Sequence, residues 1–304
     1  MSLTLTVLGS CMGVALAAEP MPGPTQHHLL RDAGEVGIEL TPVGWGRYAA
    51  RYDDQGQRFP TALPRTVDVH GVRPTVGIID GLQLGAELMA VQSVAGPAGD
   101  PDQTRFGFGD MSLHVAGEIR LEPLDFGARV TVKIATGNSD AIRGNKAWPV
   151  GTGQPDLDFT GHIHRAAGDV TVLGEMGFTK RFLGEKHLET TSFDYEPGNI
   201  FHLEMGVTQW SSYQYAVGLS GLFHTAEADR WKVGGDLEPV GTGSAAASLV
   251  ATFTLRAADW VDVSLATRQR GIGVGTVDTG MVFWGRNTPS TTLPPLLLTV
   301  LFRI

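Results

Sequence analysis

Cysteine is almost absent from this 304-residue chain: Cys11 stands alone. A lone thiol excludes an internal disulfide framework and any cysteine-built metal knuckle. Charge is also scarce, with charged residues at 18% against the roughly one quarter usual in soluble domains. Positive charge is the scarcer sign, 23 Lys and Arg against 32 Asp and Glu. Without a basic cluster, a net charge of −9 excludes a nucleic-acid surface. Beyond the N-terminus no apolar run approaches the roughly 20 residues of a membrane-spanning helix. Glycine, by contrast, is abundant at 40 residues.

The clearest pattern lies between Phe106 and Asp158. Met111, Leu113, Val115, Gly117, Ile119 and Leu121 share one face of a segment, and Asp110, Ser112, His114, Glu118 and Arg120 the other. After a turn at Glu122–Asp125, Phe126, Ala128, Val130, Val132 and Ile134 alternate with Arg129, Thr131 and Lys133. Period-two alternation sustained this long specifies strands, not helices. Arms of about 9–11 residues span a bilayer when tilted, one face on lipid and the other on a polar lumen. Alternation also hides the hydrophobicity of a barrel from any average over sequence.

The same pattern runs along the chain. The first strand is expected from Glu35 to about Arg51, and the second from about Arg65 to Ile79 with a change of phase at Gly71. Further arms fall at Leu82–Ser93, Asp156–His164, Val170–Thr179, Phe201–Thr208, Tyr215–Phe223, Ala247–Leu255, Val261–Arg268 and Leu296–Ile304. The fold class is therefore all-β: a transmembrane antiparallel up-and-down β-barrel of about twelve strands. Connections alternate between short ones (Asp80-Gly81, Glu122–Asp125, Ala166–Asp169, Trp210–Tyr213, Ala257–Trp260) and long ones (Ala95–Arg105, Gly137–Thr152, Glu227–Thr242, Gly271–Leu293). The last long loop has room for extra strand at Thr276–Trp284. Short periplasmic turns and long external loops are the outer-membrane pattern. Phe126, Trp210, Tyr213 and Trp260 fall near the short turns, where an interfacial aromatic girdle is expected.

Residues 1–18 read as a signal peptide, with an apolar Leu3–Leu16 and the small-x-small Ala15-Leu16-Ala17 near the cleavage point. Residues 19–34, rich in proline and polar groups, read as a periplasmic segment able to plug the lumen, and 35–304 as the barrel. The adjacent His27 and His28 are read as solvated.

Phe108-Gly109-Asp110, the arm to Leu121, Ile134-Ala135-Thr136-Gly137 and Gly151-Thr152-Gly153-Gln154-Pro155-Asp156 resemble an outer-membrane barrel family labelled for the meta-pathway of phenol degradation. That family looks distantly like the FadL-type transporters of hydrophobic compounds. Its usual proline before the Thr-Gly is Ala135 here. The resemblance implies residence in the bacterial outer membrane and uptake of small hydrophobic or aromatic molecules, with no catalytic residue carried over.

The candidate lumen-lining residues are His114, Glu118, Arg120, Arg129, Lys133, Asp156, Asp158, His162, His164, Glu175, His202, Glu204, Asp262 and Arg268, with Arg181 and Arg303 beside them. Mixed signs suit cross-strand ion pairs and a selectivity element acting on solute charge. His162 and His164, two apart on one face with Asp156 and Asp158 nearby, have a spacing suited to joint metal binding. A polar lumen wall calls for the same residues, and we read them as wall, with no metal or other cofactor. No G-x-S-x-G and no outward Ser–His pair supports hydrolysis, so no enzyme is expected. Twelve strands lie between a filled eight-stranded barrel and an open porin, which implies a narrow or plugged lumen. The sequence thus reads as a monomeric outer-membrane channel, its partners lipid and a small solute passed passively. The alternative is a structural or adhesive barrel acting through its external loops.

Overall fold

The computed structural model describes residues 33–52, 58–95, 103–121, 123–138, 150–188, 191–212, 214–232, 238–240, 243–274 and 296–304. Seventeen strands occur among them. Those of the wall are β1 (Val36–Tyr52), β2 (Arg58–Ile79), β3 (Leu82–Ala95), β4 (Thr104–Phe108), β5 (Met111–Leu121), β6 (Leu124–Ile134), β7 (Asp156–Ala167) and β8 (Val170–Arg181). The wall continues with β11 (Ile200–Ser212), β12 (Tyr215–Ala226), β15 (Ser244–Ala258), β16 (Val261–Val274) and β17 (Leu296–Arg303). Each pairs antiparallel with its neighbours, and pairings of β1 with β17 and of β2 with β3 close the sheet on itself. Since β4 and β5 both pair with β3 in succession, they form one interrupted stave. Twelve staves result, as the alternation predicts. No helix among the described residues is long and apolar enough to cross a membrane.

The exterior is apolar. Val115, Val130, Phe159, Met176, Met205, Leu219, Leu249 and Phe253 all stand exposed along it. Threonines, carboxylates, histidines and arginines fill the buried inner face. Such an inverted distribution is costly in water and favourable in lipid, so the molecule is an outer-membrane barrel. Near the short turns, Trp260 stacks on Phe302 and Tyr215 on Phe253, with ring centroids 6.2 and 6.4 Å apart.

Four expectations are corrected. The bulge lies on β1, between Thr41 and Gly44, and not at Gly71. β2 keeps its phase, so Val67 and Val69 face inward while His70 is exposed outside, its Nδ1 2.6 Å from the Pro42 carbonyl. Trp210 belongs to the inner wall, not the girdle: it is buried against Ala216 with the Arg256 guanidinium 5.3 Å from its ring centroid. Its side chain faces away from lipid because Trp210 keeps the inward phase of His202, Glu204 and Thr208 along β11. Strand also extends into the expected loops. Thr104 and Arg105 lie in β4, and β16 continues to Val274.

A separate four-stranded sheet stands at the loop end, built from β9 (Gly184–Leu188), β10 (Thr191–Glu196), β13 (Asp229–Lys232) and β14 (Glu238–Val240). The last two fall within the expected Glu227–Thr242 loop. Asp229 of β13 accepts from the Tyr195 hydroxyl of β10 at 2.7 Å and from the amide of Gly198, on the way to β11, at 2.8 Å. The expected signal peptide, residues 19–32, Tyr213 and the strand expected at Thr276–Trp284 lie outside the described residues.

Candidate functional site

The inner wall carries three groups of polar side chains, graded from the loop end to the turn end. At the loop end the interruption between β4 and β5 is decisive. Arg105 and Gly107 face inward on β4, yet Asp110, Ser112 and His114 face inward on the continuing strand, so Gly109-Asp110 absorbs an extra residue. The Asp110 carboxylate accepts from the Gly137 amide at 3.0 Å, the Thr152 amide at 2.9 Å and the Thr152 hydroxyl. Lys133 donates to Thr152 Oγ1 at 2.7 Å and pairs with Asp156 at 2.5 Å. A Cβ on Gly137 would fall 2.7 Å from Gly151 Cα, so only glycines allow the two segments this approach.

This network draws the end of the long loop into the barrel. Val150 is buried against Val67, Val69, Met89 and Val91. An apolar patch therefore sits at the loop end of an inner wall that is mostly polar, with Leu173, Leu222, Val250 and Leu297 buried elsewhere on it. The motifs that carry the family resemblance, Gly109-Asp110, Thr136-Gly137 and Gly151-Thr152, are the residues that build the anchor.

In the middle, Asp158 accepts from the hydroxyls of Thr160 and Thr179, both at 2.7 Å, and Arg129 reaches Thr160 at 3.4 Å. His202 lies 3.3 Å from Glu175. Glu204 and His114 are buried nearby on their own staves. Three histidines share one device: His114, His162 and His202 each face a glycine directly across the ladder, Gly85, Gly127 and Gly177. A Cβ on any of those glycines would meet the imidazole at 2.1–2.3 Å. The ring occupies the space that a side chain on the glycine would fill.

At the turn end Glu118, His162 and His164 converge. Glu118 Oε2 is 3.4 Å from His162 Nε2 and 3.9 Å from His164 Nδ1, while Asp125 lies 3.1 Å from His164 Nε2. Arg120 reaches the other Glu118 oxygen at 3.6 Å from an exposed position at the rim. The carboxylates beside the histidine pair are thus Glu118 and Asp125. Asp156 and Asp158 belong to the other two groups.

Asp262 stands apart, on β16, between Arg256 at 3.2 Å and Arg303 at 2.5 Å. The side chain of Arg268 lies outside the described residues. Sequence reasoning missed the buried pair of Arg73 and Glu87, 3.2 Å apart, together with Gln83 and Gln154. It also left Asp110 and Thr152 out of the candidate set, although their motifs had been singled out.

No family model and no curated protein matches the chain. Solved structures do. A COG4313 outer membrane channel from Pseudomonas putida F1 superposes with a TM-score of 0.71 at 12% identity, covering 94% of this chain and 100% of that one. The translocator domain of the autotransporter NalP from Neisseria meningitidis gives 0.49 at 10% identity, over 99% and 96% of the two chains. A structure described as the CymD monoaromatic hydrocarbon channel gives 0.39 at 8% identity, over 92% and 90%. What this chain shares with the first of these is the outer-membrane barrel fold.

Proposed function

We propose that this barrel is a passive, monomeric outer-membrane channel for small hydrophobic or aromatic solutes, and not an enzyme. One observation carries the reading. Val67, Val69, Met89, Val91 and Val150 place an apolar patch on the inner wall at the loop end. The patch is covered by Val150, with Val67 and Val91 fully buried; in this reading a hydrophobic solute takes the place of Val150 against those side chains as it passes. The mixed charges further in discriminate against neither sign, which suits a neutral solute. The COG4313 channel, alike in fold, is described as a channel.

Uptake into liposomes carrying the refolded chain tests this. Simple aromatics should enter faster than sugars or amino acids of matched size, and Val91→Ser should remove that advantage in a barrel whose folding is checked by heat-modifiable gel mobility. Entry of everything small would make the barrel a general narrow pore. A second reading, an adhesive or structural barrel, draws on the external sheet of β9, β10, β13 and β14. No entry of any solute, from a barrel shown by heat-modifiable gel mobility to be folded, would replace the channel with that reading.

A further inference from the structure

At the turn end of the lumen, we propose, Glu118, His162 and His164 form a binding site for a divalent transition-metal ion of the zinc class. One ligand atom from each of the three lies within 4.8 Å of the other two, and Glu118 Oε2 faces both His162 Nε2 and His164 Nδ1. Around a tetrahedral ion with bonds near 2.0–2.1 Å, ligand atoms stand about 3.3 Å apart. The Glu118–His162 separation of 3.4 Å already meets that spacing, and the 3.9 Å to His164 needs a small rotation.

Three features independent of the cluster's composition favour a ligand. Asp125 lies 3.1 Å from Nε2 of His164. A carboxylate on the far nitrogen fixes the tautomer and turns Nδ1 toward the centre, as outer-shell partners of metal-bound histidines do. The imidazoles of His162 and His164 lie side by side on the inner face of β7, 13° between planes and 6.1 Å between centroids, so both reach the same part of the lumen.

The third feature is Gly127. It sits between Glu118 and His162 in the ladder, paired with each. A side chain there would occupy the space of the His162 ring, since a Cβ falls 2.1 Å from Nε2. With glycine, the carboxylate of β5 reaches the imidazole of β7 across an intervening strand.

Two imidazoles and one carboxylate suit zinc, nickel or copper better than calcium or magnesium, which prefer all-oxygen shells. Three protein ligands leave a fourth position for water or a solute group. The site is independent of the hydrophobic-solute reading and stands or falls separately from it.

The full chain, refolded without a polyhistidine tag and stripped with chelator, is titrated with Zn2+ by calorimetry. The His27→Ala/His28→Ala background removes the one adjacent histidine pair that could compete. One ion per chain is expected. Glu118→Gln should weaken binding at least tenfold, and His162→Ala should abolish it. Asp125→Asn, acting through His164, should cost about 10–100-fold. Co2+ added to the unsubstituted site should give the visible absorption of a four-coordinate ion, which requires no variant to fold. Absence of both Zn2+ uptake and that absorption in a folded barrel overturns the proposal. So does binding that Glu118→Gln and His162→Ala leave unchanged.

Discussion

Thr152 gives both its amide and its hydroxyl to the carboxylate of Asp110, 42 residues earlier in the chain. Through that one contact a long external loop is tied to the foot of a strand inside the barrel. Asp110 is 5% exposed, accepts three hydrogen bonds and lies 3.8 Å from Lys133 Nζ, so Asp110→Ala leaves Lys133 with one carboxylate and frees two amides. The expected cost is about 3 kcal/mol, read from equilibrium urea unfolding. If the loop end narrows the lumen, single-channel conductance should rise in the same variant.

The glycine pair beneath this anchor makes a second test. A Cβ at Gly151 would fall 2.3 Å from the carbonyl carbon and oxygen of Gly137 and 2.6 Å from its Cα, all backbone atoms that cannot swing aside. Gly151→Ala should therefore force the segments apart, costing about 1–3 kcal/mol. Gly221, whose Cβ would meet nothing within 4 Å, is the control: Gly221→Ala should leave unfolding unchanged.

Membrane embedding predicts a depth profile. Val130 lies at the middle of β6 and faces outward, whereas Ile119 faces outward close to a short turn. Val130→Arg should cost about 2–4 kcal/mol in lipid, and Ile119→Arg about 0–1. Equal costs at the two positions would contradict the assigned belt.

Asp262 ties the closing strand to its neighbour. It is shared by Arg256 of β15 and Arg303 of β17, and its side chain is buried. Asp262→Asn leaves two guanidinium groups facing each other without their anion. A loss of about 2–3 kcal/mol is expected, with faster amide exchange along the ladder between β16 and β17.

Much of the architecture was legible because lipid and lumen impose opposite chemistry on alternate residues. Met111 to Leu121 and Phe126 to Ile134 declare their faces without ambiguity. The inference failed where the inner wall is itself apolar. Val67 and Val69 look like lipid-facing residues, and only β2's register shows them inside. Trp210 misled in the same way, since its cover is the Arg256 guanidinium and not a headgroup. The external sheet left no mark because its strands, three to six residues long, are too short for a period to register. At the turn end, the two histidines were visible and their partner was not. Glu118 lies two staves away, and its route to His162 depends on the side chain that Gly127 lacks.

The seam has a consequence for how the chain is threaded. Val36 and Ile304 exchange both of their backbone hydrogen bonds, at 3.0 and 2.8 Å. The first and last staves therefore begin and end side by side at one rim. A linker of a few residues could join them, and the chain could be reopened within an external loop without altering any pairing in the wall. The barrel's identity lies in its cyclic order of staves, and the point at which translation starts is, for the wall, arbitrary.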